Sequence, residues 1–280
     1  MTDFIDKLAA NGVAFTLQDG RIIVEGDLRV GFTLEPEDPA IPCDYIPANL
    51  TVTNTLTILS GIHSIPAGLV ARNLFISYSE LESLPDNLTI TGTLMANSSH
   101  LKYLPENLTV GRVLDIMCTD IAYLPDTLKV AGSMMLSNTR ITTLPDNLHL
   151  EENLALEAMP LQALPKNLKV GHSLYLDAVA LKRIPECISC PVINLVNPGN
   201  FENVASVTGI GGKPNRHVYA LRTALGVRVC MYDLSVDPEI FGLLVRGIYD
   251  EPTAELLDKA AQQCIQRLED MYASENAVRH

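Results

Sequence analysis

The stretch LPDNLTI (residues 84–90) returns four times, as LPENLTV (104–110), LPDTLKV (124–130), LPDNLHL (144–150) and LPKNLKV (164–170). Its proline recurs every 20 residues, at positions 85, 105, 125, 145, 165 and 185. Two earlier prolines, Pro47 and Pro66, precede this series at spacings of 19 residues. A fixed period of this length is typical of repeat proteins, in which each repeat is one small structural unit that stacks on the next.

Within each repeat, apolar residues alternate with other residues over two short segments. In the repeat that begins at Pro105, Leu108 and Val110 mark the first segment, and Leu114 and Ile116 mark the second. A period of two is typical of β-strands, and no repeat has the roughly ten residues of helical periodicity that a stacked helix needs. Because so short a strand pair cannot bury its apolar face alone, the sequence predicts a mainly β fold, a parallel β-solenoid over residues 46–201.

The N-terminal residues 1–45 predict a cap for this array. Residues 2–11 have the apolar spacing of a short helix, and the dipeptide Asp19-Gly20 predicts a hairpin because it favours a tight turn. Residues 35–47 are rich in proline and acidic side chains and predict an irregular connection.

The C-terminal residues 202–280 depart from the repeat and predict a small α/β unit. Their apolar pattern indicates strands at 217–223 and 227–236, a helix that begins at Pro238 and a second helix from Pro252. This unit is either a cap on the last open repeat or a separate functional module.

Charge limits the class of partner. The chain has 33 Asp and Glu against 20 Lys and Arg, a net charge of -13. Nucleic-acid binding requires clustered cations, so we expect another protein as partner, with self-association as an alternative, and no nucleic acid. No run approaches the ~20 apolar residues of a membrane span, and the first residues lack the pattern of a secretory signal peptide.

The cysteines bear on the cellular compartment. All six are scattered without the spacing of a disulfide framework, which favours free thiols in a reducing, cytoplasmic compartment. Export into a host cell by a route that needs no cleaved signal peptide is the alternative.

The second segment of the repeat resembles the core of a leucine-rich repeat. Residues 114–125, Leu-Asp-Ile-Met-Cys-Thr-Asp-Ile-Ala-Tyr-Leu-Pro, look like the LxLxxNxLxxLP pattern of that family, with Thr119 in place of the usual asparagine. The 20-residue length and the leucine–proline start are most similar to the LPX-type repeats of bacterial type III secreted effectors and related bacterial or phage proteins. This resemblance covers residues 46–201 and implies a protein-binding role.

The sequence departs from the leucine-rich repeat in two ways. Thr, Ser, Met or Val stands where the family has its asparagine ladder. The additional segment of Leu108 and Val110 brings each coil closer to a two-sheet β-solenoid than to a helix-backed horseshoe.

Two cysteine motifs have structural interpretations. Cys187 and Cys190 have the spacing of a zinc or redox pair, but Cys190 falls in the column of Val110, where a buried thiol acts as a small apolar group. Cys118-Thr-Asp120 is similar to the nucleophile motif of bacterial ubiquitin-ligase effectors. It lies inside a repeat turn, and the residues after the repeats lack the all-helical catalytic domain of those ligases, so we expect no ligase activity.

Other polar groups give no definite site. The run Gly209–Pro214 lacks the spacing of a phosphate-binding loop, and the histidines lack metal-ligand spacing. Arg216, His217, Arg222 and Asp233 form a polar cluster on the C-terminal hairpin or lie on a solvated edge. We therefore expect no enzyme activity, no cofactor and no metal site, with the C-terminal unit as the open case.

The outward positions of the second strand are the candidate binding residues. They predict an apolar track bordered by carboxylates, and contiguous apolar patches usually mark interaction sites. We call the following eight residues the strand-face track: Phe75, Met95, Asp115, Met117, Met135, Glu157, Tyr175 and Asp177. The alternative is that the C-terminal unit or another copy of the chain covers it.

Three functions are compatible with this sequence. The first is a protein–protein interaction module that binds through the strand-face track, as in a bacterial effector. The second is a catalytic or ligand-binding C-terminal unit that the repeats deliver to a target. The third is a structural role in which solenoids join end to end.

Overall fold

The computed structural model describes residues 2–33, 39–177 and 180–278. The fold is mainly β, as the repeat predicts, and its short parallel strands form a β-solenoid of about seven turns with about 20 residues each. The chain divides into two compact units, Met1–Pro145 and Asp146–His280. The domain boundaries predicted at residues 45 and 201 stay predictions.

The first unit begins with a helix and continues with short strands. Within its described residues it contains α1 (Thr2–Ala10), β1 (Phe15–Gln18), β2 (Arg21–Val24), β3 (Leu28–Val30), β4 (Leu50–Ile58), β5 (Val70–Phe75), β6 (Thr89–Ile90), β7 (Leu94–Met95), β8 (Thr109–Val110), β9 (Val113–Asp115), β10 (Lys129–Val130) and β11 (Ser133–Met135).

The N-terminal helix and hairpin confirm the prediction for this end. Helix α1 buries Phe4 and Leu8. Strands β1 and β2 pair in antiparallel fashion around Asp19 and Gly20, whose positive φ angles of 51° and 76° are those of a tight hairpin turn. Part of the predicted irregular connection, residues 35–38, lies outside the described residues.

Two parallel ladders run through the first unit, one for each predicted strand segment. The shorter ladder pairs β6, β8 and β10, and the longer one pairs β5, β7, β9 and β11. Leu94, Leu114 and Met134 are Cα partners on successive strands, and all three are buried. The period of two therefore places the core residues as predicted.

Asparagine and proline shape the turn before the shorter ladder. The Leu128 N–H donates to the Pro125 carbonyl at 3.0 Å. Asn87 and Asn107 adopt left-handed φ angles of 58° and 57° in the equivalent turns, a conformation that asparagine tolerates well. The Asn107 side-chain Nδ2 donates to Asn87 Oδ1 at 3.0 Å. An asparagine contact thus links adjacent repeats at the proline turn.

Hydroxyl groups occupy the position where leucine-rich repeats have asparagine. Thr119 is buried, and its Oγ1 donates to the Ile116 carbonyl at 2.8 Å. Thr139 repeats the contact with Leu136 at 2.7 Å. Each side chain thereby satisfies a buried backbone acceptor of its own turn.

Glycine is required where successive coils approach closely. A Cβ added at Gly111 would lie 2.1 Å from the Thr91 carbonyl oxygen of the preceding coil. The Gly111 N–H also donates to the Ile90 carbonyl at 2.8 Å. The backbone contact between these coils thus leaves no room for a side chain.

The second unit continues with short strands and ends with two helices. Within its described residues it contains β12 (His149–Leu150), β13 (Leu154–Glu157), β14 (Lys169–Val170), β15 (Ser173–Asp177), β16 (Val192–Leu195), β17 (Val204–Thr208), β18 (His217–Thr223), β19 (Gly226–Met231), β20 (Leu234–Val236), α2 (Pro238–Ile248) and α3 (Glu251–Val278).

The C-terminal part of this unit is a four-stranded antiparallel sheet, β17-β18-β19-β20, with α2 and α3. The helices begin where the sequence predicts. The single strand predicted at residues 227–236 is wrong, because a turn at Tyr232, with a φ of 51°, divides it into β19 and β20. Strand β17 was not predicted.

Sheet and helices share a hydrophobic core. Its buried residues include Val218 and Val229 from the sheet, Phe241 from α2, and Leu257 and Leu268 from α3. Each lies at a position where the amphipathic pattern of its element predicts burial. The C-terminal residues therefore have a core of their own.

The helices of the described residues are all too short or too polar to cross a membrane.

Candidate functional site

Four residues of the strand-face track form one column in the first unit. Phe75 pairs with Met95, Met95 with Asp115, and Asp115 with Met135, each as Cα partners on successive parallel strands. Parallel strands lie about 4.8 Å apart, so the four side chains are direct neighbours. The predicted column is therefore present.

The side chains of this column are only partly exposed. Phe75, Met95, Asp115 and Met135 are half-buried, and so is Met117, which lies outside the column. Each side chain is flanked by the equivalent side chain on the next strand, which covers part of its surface.

Large apolar and aromatic side chains with greater exposure lie elsewhere in the first unit. They include Tyr78, Tyr103 and Tyr123, with exposed fractions of 78%, 44% and 55%. Tyr103 and Tyr123 occupy the residue before the leucine–proline pair of adjacent repeats. The periodic sequence pattern correctly predicted which side chains point away from the core, but it did not predict what fraction of each is exposed.

Asp115 is the one charged residue in this column. Its Oδ1 accepts a hydrogen bond from the Met117 N–H at 3.1 Å. Burial raises the pKa of the Asp115 carboxyl above its ordinary value, and the Met117 hydrogen bond opposes this shift. The column thus combines methionine surface with a desolvated carboxylate.

The remaining track residues lie in the second unit. Tyr175 is the Cα partner of Ala155 on one side and Asn194 on the other, and Glu157 is the partner of Asp177. Asp177 Oδ1 accepts a hydrogen bond from Asn197 Nδ2 at 3.1 Å. Tyr175, Glu157 and Asp177 are half-buried, whereas Ala155, at a position where the pattern predicts exposure, is buried.

A cleft of about 700 Å³ lies wholly within the second unit, between strands β13, β15 and β16 and the C-terminal sheet. We call it the C-terminal cleft. Two predicted track residues, Glu157 and Tyr175, line it, together with Asn194, His217, Tyr232 and Asp233. A cavity of this size can hold a small molecule or a large side chain of a bound polypeptide.

Three rings cluster on one wall of the C-terminal cleft. The His217 ring centroid lies 5.9 Å from that of Tyr219 and 6.3 Å from that of Tyr232. The Tyr219 hydroxyl donates to the Ile193 carbonyl and accepts from the Leu195 N–H at 3.0 Å. These bonds tie the rings to β16.

Burial changes the pKa of two rings in this cluster, His217 and Tyr219. It lowers the pKa of His217 below its ordinary value, and a hydrogen bond to the Leu195 backbone only partly opposes that shift. Burial also raises the pKa of Tyr219 well above 10. At neutral pH both groups are therefore uncharged.

Asp233 and Asn194 contact each other in the lining of the C-terminal cleft. Asn194 Nδ2 donates to Asp233 Oδ1 at 2.9 Å. Among the described residues that line the cleft, none is Lys or Arg. The lining therefore combines aromatic rings, amides and carboxylates.

The polar cluster predicted on the C-terminal hairpin is divided. His217 and Asp233 both line the C-terminal cleft. Arg222 instead lies 3.9 Å from the Tyr272 ring centroid, and Arg216 lies 5.6 Å from that of Tyr249. Each arginine thus contacts a tyrosine face elsewhere.

Two further observations concern metal-ligating side chains and the cysteine pair. Within the part of the chain that the structure describes, no group of three or more His, Cys, Asp and Glu side chains is placed to hold a metal ion. Cys190 lies in the core as predicted, where burial raises its pKa to about 11, and Cys187 is exposed. A thiol with so high a pKa is a poor nucleophile at neutral pH.

The C-terminal cleft could not be identified from the sequence. Its lining comes from separate segments between Glu157 and Asp233 that only the fold brings together. The sequence does contain one weak indication of a polar surface without cations here. Asparagines recur at 194, 197 and 200, and no Lys or Arg lies between Arg183 and Lys213.

No protein-family model matches this chain, and neither a curated protein nor a solved structure matches it.

Proposed function

We propose that this chain is a protein-binding module that holds a basic partner polypeptide on the strand-face track. The observation that carries the proposal is the in-register column of Phe75, Met95, Asp115 and Met135 on successive strands. Such a column offers a continuous surface to an extended or helical segment. Methionine suits this role because its flexible side chain adapts to a partner at little cost.

Charge determines the kind of partner. Carboxylates of Asp115, Glu157 and Asp177 belong to the strand-face track, and the whole chain has a net charge of -13. A basic partner would be attracted and oriented by this field, whereas an acidic one would be repelled. Function as a bacterial effector, in a reducing compartment or after export, is the finer part of this proposal and rests on the repeat resemblance.

A second candidate is ligand binding by the C-terminal residues, which the C-terminal cleft favours. Two of the lining residues, Glu157 and Tyr175, also belong to the strand-face track. The third candidate, end-to-end assembly, is an outcome of the experiment below.

The test compares two double variants of the intact chain. Met95→Ser with Met135→Ser removes apolar surface from the strand-face track, and Tyr103→Ser with Tyr123→Ser removes exposed aromatic surface elsewhere. A protein captured from lysate by the wild type is identified by mass spectrometry, purified, and titrated against all three chains. Urea unfolding verifies that each variant folds.

We expect the methionine variant to bind the purified partner at least about tenfold more weakly, a loss of roughly 1.4 kcal/mol. The tyrosine variant should bind within about twofold of the wild type, and added salt should weaken binding because the partner is basic. Equal binding by the methionine variant would overturn the proposal. Concentration-dependent association of the chain alone, seen by sedimentation to the same extent in all three chains, would favour end-to-end assembly instead.

A further inference from the structure

We infer that the C-terminal cleft binds the guanidinium group of an arginine side chain. The inference rests on the proposed function, since the arginine would belong to the basic partner polypeptide. The pocket is formed by residues of the second unit alone. Interfaces often depend on one large side chain that enters such a pocket.

The charges of the C-terminal cleft favour a cation. Glu157 and Asp233 contribute carboxylates, and none of the described lining residues is a Lys or Arg. Asp233 already accepts a hydrogen bond from Asn194 Nδ2, which fixes its orientation without removing its charge. An anionic ligand would meet like charge on entry, whereas a cation gains attraction in a partly enclosed space.

The rings of the C-terminal cleft favour a planar cation. Tyr175, His217 and Tyr232 all line it, and the His217 and Tyr232 centroids are 6.3 Å apart. A guanidinium group is flat and weakly hydrated, so it stacks on aromatic faces while its edge donates hydrogen bonds to a carboxylate. The same chain uses this contact internally, where Arg222 lies 3.9 Å from the Tyr272 ring centroid.

Titratable groups in the C-terminal cleft are compatible with a cation at neutral pH. Those that line it are Glu157, Tyr175, His217, Tyr219, Tyr232 and Asp233. Burial lowers the pKa of His217, which is therefore neutral and does not repel a guanidinium group. The Tyr219 hydroxyl is occupied by backbone groups of Ile193 and Leu195.

The first experiment measures binding of single capped amino acids to the intact chain. The probe is Nα-acetyl-L-arginine N-methylamide, observed by chemical-shift changes of the cleft residues. The matched control is the citrulline analogue, which has nearly the same shape but no charge, and the lysine analogue supplies a non-planar cation. We expect the citrulline analogue to bind at least about tenfold more weakly than the arginine probe. We expect the lysine analogue to bind at least about threefold more weakly than the arginine probe.

The second experiment locates the site with charge-neutral substitutions of similar size. Asp233→Asn keeps an oxygen that can accept the Asn194 hydrogen bond, and Glu157→Gln changes the other carboxylate. Each should weaken arginine binding about threefold to tenfold, whereas Glu269→Gln, on the exposed surface of α3, should change it less than about twofold.

Three results would overturn the inference. They are equal affinity for the arginine and citrulline probes, shifts confined to residues outside the cleft, and tighter binding of the lysine probe. Because these probes need no partner protein, their failure is distinct from failure of the capture experiment, which tests the strand-face track through Met95 and Met135.

Discussion

Asp115 is a half-buried carboxylate whose charge costs stability. It stands between Met95 and Met135 in the column, half-buried, with its Oδ1 on the Met117 N–H. A carboxylate in this environment loses hydration that a single hydrogen bond replaces only in part. Desolvation of the Asp115 carboxylate therefore opposes folding.

The Asp115→Asn variant tests this cost. Burial raises the pKa of the Asp115 carboxyl above its ordinary value of 3.8, so folding favours the protonated form. The stability contributed by the protonated form is fully present below pH 3.8 and is lost as the pH rises through the raised pKa. At neutral pH the charged form therefore opposes folding, and Asn, which can still accept the Met117 hydrogen bond, should add about 0.5 kcal/mol to the free energy of unfolding.

Urea unfolding of both chains at neutral and at acidic pH measures this difference. The gain should shrink as the pH falls toward 3.8, because the wild-type carboxyl is then protonated. A variant less stable than the wild type at neutral pH would show that the carboxylate supports the fold.

At the scale of single residues, the repeat register predicted which side chains are buried, but not how exposed the outward side chains are. Cys190 lies in the core because its column is apolar, as predicted. Met95 and Met135 point outward as predicted but are half-buried, because the exposure of a strand residue depends on its neighbours across the ladder.

Strands and turns were predictable where the local chemistry is strong. The Asp19-Gly20 hairpin and the start of α2 at Pro238 follow from turn and helix-start preferences. The turn that divides β19 from β20 could not be predicted in this way, because Tyr232 adopts a φ of 51° that aromatic residues seldom have. Tertiary contacts of the sheet impose this turn against local preference.

Replacement of Gly111 tests the close approach of coils. In Gly111→Ala the new Cβ would lie 2.1 Å from the Thr91 oxygen, a contact with rigid backbone that must be relieved by separating the strands. We expect the variant to lose at least about 2 kcal/mol of unfolding free energy.

Gly247→Ala in α2 is the matched control for this change. No atom lies within 4 Å of the added Cβ, so the variant should gain up to about 1 kcal/mol from the helix preference of alanine. Thermal unfolding of both variants provides the measurement. A Gly111→Ala chain as stable as the wild type would show that the coils can separate without cost.

At the scale of the whole molecule, the sequence predicted a solenoid followed by an α/β part, but left the role of that part undecided. The structure gives residues 202–280 a core of their own from β18, β19, α2 and α3. It also attaches them to β16 through the Tyr219 hydroxyl. The C-terminal cleft lies between the parts that this attachment joins. No local sequence pattern predicts the attachment.

Two fragments test whether the C-terminal core is independent. Residues 202–280 should be soluble and should unfold cooperatively with the helical signal of α2 and α3 in circular dichroism. Residues 192–280, which retain β16, should be more stable by about 1 to 3 kcal/mol because Tyr219 keeps its hydrogen bonds. Aggregation of both fragments would identify this part as a cap that folds only on the repeats.

The constant register of the longer ladder also bears on how such a chain can change over generations. Leu74, Leu94, Leu114 and Met134 are aligned across successive strands, always 20 residues apart. A gene duplication or deletion of one whole period would keep every remaining core residue aligned with a core residue. The number of coils can therefore vary by recombination while the pattern of buried residues remains the same.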